Sequence, residues 1–129
     1  TIIMERRFIS IDYNRENVLR YKSKDNLLRH ARTGKGISGV MYIDPGTKEL
    51  IGYIGWEGKM IICLEVTKYY RGQGYGRLLM EEAMNKGCDS LTVSENNLIA
   101  QNLYSSLGFR KVSGRLWKLE ESIMKTWKE

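Results

Sequence analysis

Met60-Ile-Ile-Cys-Leu-Glu-Val66, followed at a short interval by Arg71-Gly72-Gln73-Gly74-Tyr75-Gly76, is the stretch on which the reading of this chain turns. The first part is too apolar and too β-branched for a loop and predicts a strand. After it, Arg77-Leu-Leu-Met-Glu-Glu-Ala-Met-Asn-Lys86 is rich in strong helix formers and is closed by Gly87, which predicts a helix. The glycines therefore stand where a strand turns into a helix. Without Cβ atoms the backbone can come close to a ligand. The first N–H groups of a helix have no partner within it, and the helix dipole adds partial positive charge. That is an anion site suited to a phosphate or pyrophosphate. Arg71 and Arg77 flank it with fixed charge, and the candidate loop comprises Arg71, Gly72, Gln73, Gly74, Tyr75, Gly76 and Arg77. A side chain at Gly74 or Gly76 is expected to occupy the space of the bound pyrophosphate.

The spacing narrows the ligand. A P-loop needs G-x-x-x-x-G-K-[ST], and no Lys-Ser or Lys-Thr follows these glycines. A dinucleotide fold needs G-x-G-x-x-G, whereas Gly72, Gly74 and Gly76 give G-x-G-x-G. R-x-x-G-x-G, from Arg71 to Gly76, does fit. The stretch Leu64 to Gly76 resembles the acyl-CoA-binding motif of the GNAT superfamily of N-acyltransferases. Downstream, Asn97-Leu-Ile-Ala100-Gln-Asn-Leu103-Tyr104-Ser-Ser-Leu-Gly108-Phe109 resembles that family's second signature, N-x-x-A-x-x-L-Y-x-x-x-G-F. Two motifs in the expected order extend the resemblance over about residues 39 to 119; residues 1 to 38 carry no matching motif.

The resemblance implies an α/β fold with a central twisted mixed sheet flanked by helices, forming one GNAT domain over residues 1–129. It implies acetyl-CoA as co-substrate and no metal. The loop amides would hold the CoA pyrophosphate, the backbone of Leu64 and Val66 would hold the pantetheine arm and acyl carbonyl, and Asn97 and Ala100 would complete the cofactor site. Tyr104 would protonate the leaving thiolate. The family often has proline where Lys68 stands, so this chain lacks a rigid turn residue just before the loop.

The rest of the chain is consistent with that order. Residues 2 to 9 suggest a first strand, weakened by Glu5-Arg6-Arg7, and residues 14 to 33 suggest one or two helices ending at Gly34-Lys-Gly36. Strands are expected at 40–43, 50–56 and 59–66, joined by turns at Asp44-Pro-Gly-Thr-Lys48 and Glu57-Gly58. Gly52 and Gly55 inside a strand point to a bulge or a close neighbour. A short strand at 89–93, a helix from Asn97 to Leu107 and a closing hairpin (109–112 and 115–119) follow. The segment 120–129 suggests a short amphipathic helix or tail, open to a role as a sheet cap or a homodimer contact.

Composition sets outer bounds. A chain of 129 residues with 42% hydrophobic and 28% charged residues suits one soluble globular domain. No apolar run is long enough to span a bilayer, and the first residues carry no signal-peptide pattern. The chain begins at Thr1, with Met4 a candidate natural start. Cys63 and Cys88 each lie in or beside apolar sequence and read as buried free thiols, which suits the cytoplasm. The sole histidine, His30, is remote from both, so a cysteine nucleophile is disfavoured. The net charge of +6 is scattered, fits a polyanionic cofactor and lacks the aromatic-basic pattern of a nucleic-acid module.

Acyl transfer to an amine needs a neutral amine, a donor for the oxyanion and a proton for the thiolate. Tyr104 is the candidate acid, sharing a helix face with Ala100, Leu103 and Leu107. Among candidate bases Glu65 leads because it adjoins the cofactor motif, ahead of Glu57 and Glu95. The resulting expectation is N-acetyl transfer from acetyl-CoA to a primary amine by direct attack in a ternary complex. The alternatives are a non-catalytic acyl-CoA binder, another nucleotide-phosphate binder or, least favoured, a small basic nucleic-acid module. The sequence does not name the acceptor.

Overall fold

The computed structural model describes residues 7–21 and 32–121. The elements follow in chain order: β1 (Ile9–Asp12), α1 (Arg15–Arg20), β2 (Ile37–Ile43), β3 (Leu50–Glu57), β4 (Met60–Val66), α2 (Tyr75–Asn85), β5 (Ser90–Thr92), α3 (Leu98–Ser106), β6 (Phe109–Ser113) and β7 (Leu116–Leu119). One turn of 3-10 helix, Lys68–Tyr70, separates β4 from the glycines. The seven strands form one mixed sheet in the order β1-β2-β3-β4-β5-β7-β6. Strands β1 to β4 are an antiparallel meander, β4 and β5 are parallel, and β5, β7 and β6 are antiparallel again.

Strand alternation sorts the core onto the two faces of the sheet. Tyr42, Ile54 and Trp56 pack with Tyr75, Leu79, Met80 and Ala83 of α2 and with Tyr104 of α3. Their neighbours Met41, Ile43 and Tyr53 pack instead with Tyr13, Leu50 and Val18 of α1. The α2 residues recur at spacings of four, one and three, the stripe of an amphipathic helix. Tyr75 leads that stripe, and its ring meets Phe8, Tyr42 and Tyr70 edge-on at centroid distances of 6.0 to 6.5 Å.

Several boundaries differ from expectation. The first strand among the described residues is Ile9–Asp12, where the chain pairs with β2 from Ile9↔Ile43 to Asp12↔Val40, so it shares only Ile9 with the strand expected over 2–9. Residues 2–6 of the expected strand lie outside the described residues. Of the one or two helices expected over 14–33, the described residues hold α1, which ends at Arg20, where Tyr21 turns extended and packs into the α1-side core; residues 22–31, with His30, lie outside the described residues. The helix after the loop starts at Tyr75, two residues early, because Gly74 takes a left-handed conformation and ends the turn there. The segment beyond residue 121 also lies outside the described residues.

Both strand glycines have a reason. The register shifts between Gly55 and Trp56, the anticipated bulge. At Gly52 a Cβ would lie 2.6 Å from the Glu65 carbonyl oxygen of β4 and 3.3 Å from Leu79 of α2. Gly52→Val is therefore expected to destabilise the fold by about 1–3 kcal/mol through overpacking. Urea denaturation should show a lower midpoint with an unchanged slope.

Candidate functional site

The site begins with a pairing that stops. β4 and β5 are in register at Met60↔Ser90 and Ile61↔Leu91, and there the parallel ladder ends. β4 runs on to Val66 with β3 on its other side, paired from Glu57↔Met60 to Gly52↔Val66. Thr67 donates its N–H to Ile51 of β3 at 2.8 Å. By two-residue alternation, Glu65 also faces β3, while the N–H groups of Leu64 and Val66 point into the space that β5 has left. The gap runs along five residues of β4, roughly 17 Å at strand rise.

The loop forms the mouth of this gap. The 3-10 turn closes through Tyr70 N–H to the Thr67 carbonyl at 3.0 Å, and the buried Thr67 hydroxyl reaches the Leu50 carbonyl at 3.3 Å. Arg71 Nε donates to the Val66 carbonyl at 2.9 Å, which fixes the guanidinium at the end of β4. Gln73 Nε2 donates to the Tyr69 carbonyl at 3.2 Å. Gly72 and Gly74 have φ of 74° and 87°, left-handed values that disfavour a side chain. Gly74 offers no side-chain cap to α2, and the first-turn N–H groups of Gly76 and Arg77 have no partner within the helix. They present a dipole-backed anion site at the gap.

Three loop residues sit differently from expectation. Tyr75 is buried in the aromatic core, so only its backbone faces the loop. Arg77 Nη2 donates to Ser106 Oγ of α3 at 2.6 Å and ties the two helices together. Gly76 lies within the first turn of α2, and a Cβ there would point at Leu103 Cδ2, 3.5 Å away, and Val66 Cγ2 at 4.0 Å. A larger residue at 76 would therefore first meet α3 and β4 rather than a bound phosphate. The same contacts show that the loop helix, β4 and α3 converge at one point.

The second motif builds α3. Asn97 Oδ1 accepts the N–H of Ala100 at 3.1 Å, an N-cap that starts the helix. Ala100, Leu103 and Leu107 pack on the core with Tyr104, the shared face expected from their spacing. Gly108, at φ 98°, turns the chain into β6. Tyr104 is 8% exposed and its ring meets Phe109 edge-on. Burial, and secondarily the Glu65 carboxylate, push its hydroxyl up to about 12.

Glu65 is exposed on β4 opposite Tyr53. Its charge also reaches Cys63 and Tyr53, which belong to the α1-side core. Glu57 stands at the far end of β3, roughly 17 Å along the strand from the register of Val66. Glu95 is paired with Lys111 at 3.4 Å on the β6 side. Cys63 is half-buried and Cys88 buried, and desolvation raises both thiols, Cys88 to about 11. Sequence reasoning passed over Asp44 and Tyr70, which join the β2–β3 turn to the 3-10 turn. The Asp-Pro-Gly signature marked the turn but not its distant partner.

A family profile described as "Acetyltransferase (GNAT) domain" matches residues 28–111, more than half of the chain. This chain is a member of the GNAT acetyltransferase family. Solved GNAT acetyltransferase structures share its fold. Arabidopsis thaliana NAA60 in complex with a bisubstrate analogue superposes with a TM-score of 0.63 at 19% identity, covering 83% of this chain and 87% of that one. The ribosomal-protein-S18-alanine N-acetyltransferase of Escherichia coli gives 0.61 at 18% identity, covering 86% and 89%. A GNAT-family acetyltransferase from Staphylococcus aureus Mu50 gives 0.56 at 19% identity, covering 86% and 97%. NAA60 has also been solved in complex with acetyl-CoA. Membership supports acetyl transfer in general as the activity of this GNAT domain. No helix among the described residues is long and apolar enough to cross a membrane.

Gly74→Val is expected to weaken CoA binding roughly 10-fold or more, because the left-handed turn would be lost at a strain cost of that order. Calorimetric titration with CoA tests this, with circular dichroism to check the fold. Gly76→Ala, whose methyl would make only ordinary contact with Leu103, should leave the fold intact.

Proposed function

We propose that this chain, acting as a single domain, moves an acetyl group from acetyl-CoA to a primary amine by direct attack in a ternary complex. The observation that carries the reading is the gap beside β4, with two backbone N–H groups facing it and an uncapped helix N-terminus at its mouth; the Tyr104 hydroxyl lies within the field of Glu65 on the same strand. In this reading Gly72, Gly74, Gly76 and the adjoining amides hold the pyrophosphate, with Arg71 held against Val66 to neutralise its charge. The N–H groups of Leu64 and Val66 would hydrogen-bond the pantetheine arm and the thioester carbonyl, polarising the carbonyl as negative charge develops on its oxygen. The family relative solved with acetyl-CoA supports the choice of donor.

Direct attack is favoured over an acyl-enzyme because burial keeps both cysteines in the thiol form near neutral pH. The amine nitrogen forms a bond to the carbonyl carbon, the C–S bond breaks, and the thiolate, hydrogen-bonded by Tyr104, leaves and takes up a proton from water. Tyr104 suits donation to that sulfur more than complete proton transfer. With its hydroxyl near 12 and an ordinary thiol near 8.5, full transfer runs uphill by about 5 kcal/mol. Glu65, whose charge is felt at Tyr104, is the candidate acceptor for the proton released by the amine, directly or through water. Asn97 and Ala100 serve the site by starting α3 and setting the position of Tyr104.

Tyr104→Phe keeps the ring and its packing. Turnover should fall roughly 10- to 1,000-fold with little change in the Michaelis constant for acetyl-CoA. Steady-state kinetics, with an acceptor found by screening an amine library for CoA release, decides this. Wild-type turnover would make the tyrosine structural. CoA binding without release across the library would favour a non-catalytic binder.

The pH profile offers a second check. A raised tyrosine stays protonated until pH nears 12, so Tyr104 should cause no decline in kcat/KM below about pH 11. The rate should instead climb as the acceptor amine loses its proton. A descending limb centred near pH 10 would point to an unperturbed tyrosine. Glu65→Gln should slow the reaction more at pH 7 than at pH 9, since a deprotonated amine needs less help from a base.

A further inference from the structure

The loop lacks proline at the first residue of its 3-10 turn, Lys68, where a preset φ would serve. Something else must order it. Tyr70, the last residue of that turn, donates its hydroxyl to Asp44 Oδ2 at 2.7 Å, across 26 residues of sequence. Asp44 is itself held: its other oxygen accepts the N–H groups of Gly46 at 2.8 Å and Thr47 at 3.2 Å. Its N–H donates to the Glu49 carbonyl at 2.9 Å and its carbonyl accepts from Lys48 at 2.8 Å. The carboxylate is thus a fixed point on the β2–β3 turn. On its other side the Tyr70 ring lies edge-on to Tyr75, the first residue of α2, at 6.0 Å. Tyr75 in turn meets Tyr42, whose hydroxyl donates to Glu82 further along the same helix.

We propose that Asp44 and Tyr70 are positioning residues for the cofactor loop. Their hydrogen bond clamps the 3-10 turn to the β2–β3 turn and fixes where α2 begins, so that the loop amides are preorganised for pyrophosphate. The proposal rests on the reading of this loop as the CoA site. The clamp takes over the task of a proline by tertiary contact: it reduces the freedom the loop would otherwise lose on binding. It touches no reacting atom, so it affects occupancy of the site and not the chemical step.

Four proteins test it: the wild type, Tyr70→Phe, which deletes one hydroxyl, Asp44→Asn, and the double variant. The asparagine can still accept from Gly46 and Thr47 but no longer offers Tyr70 a charged acceptor. Two measurements are made on each: amide hydrogen exchange over residues 67–74 without ligand, and calorimetric CoA affinity. The expected result is faster exchange confined to that segment and CoA binding weaker by roughly 3- to 10-fold, the worth of one hydrogen bond. The double variant should be no weaker than Tyr70→Phe alone, because that variant already deletes the bond that Asp44→Asn weakens. With an acceptor in hand, KM for acetyl-CoA should rise and kcat hold. Unchanged exchange in both variants overturns the clamp. Faster exchange with wild-type affinity overturns its role in binding. Failure of the wild type to bind CoA is a separate result and overturns the reading of the loop itself.

Discussion

Two parallel strands that pair for two residues and then part leave backbone groups which must find partners elsewhere. Here β5 takes β7 as its neighbour and β4 continues alone on that side. An edge buried inside a sheet is costly unless something supplies acceptors to its N–H groups. At Leu64 and Val66 one carbonyl is already satisfied, by Arg71, and the remaining donors point where a ligand's amides and carbonyls would lie. The fold around this gap follows from the need to hold it open. α2 packs on β3 and β4, α3 packs into the same core, and Leu103 with Val66 bounds the point where both meet the loop.

The loop follows the same logic. A helix N-terminus without a side-chain cap has donors available, and an anion there gains from the dipole. That gain requires the turn to be ordered before the ligand arrives. Thr67, Tyr70, Arg71 and Gln73 each spend a hydrogen bond on the segment between β4 and α2. Glycine supplies what those bonds cannot, the left-handed backbone at 72 and 74.

Much of this was legible in the sequence, for local reasons. Strands β3 and β4, the loop helix and the closing hairpin are written in alternation, helix-forming runs and turn residues, and they lie within a residue or two of expectation, whereas β2 starts three residues early and β1 shares only Ile9 with the strand expected there. The end of the loop was less legible: Tyr75 and Gly76 read as loop because a G-x-G-x-G run reads as loop throughout, yet the left-handed Gly74 starts the helix after it. The inward side of Gly76 could not be read, since it depends on how closely α3 approaches. Arg77 shows the same limit: a cation beside a phosphate motif suggests a phosphate partner, but here its hydrogen bond goes to Ser106. Tyr104 and Glu65 were singled out separately, and only the fold brings one within the field of the other. The Asp44–Tyr70 bond spans 26 residues and has no sequence signature at all.

The central claim is that acetyl-CoA lies along β4 in the gap left by β5. Backbone amide resonances across residues 60–77, followed by NMR as acetyl-CoA is added, test it most directly. The account predicts that Leu64, Val66, Gly76 and Arg77 shift and exchange more slowly with solvent. Cys63 and Glu65, whose N–H groups turn to β3 in either state, should change little. Binding that leaves Leu64 and Val66 unmoved would contradict it, as would the absence of any response to acetyl-CoA.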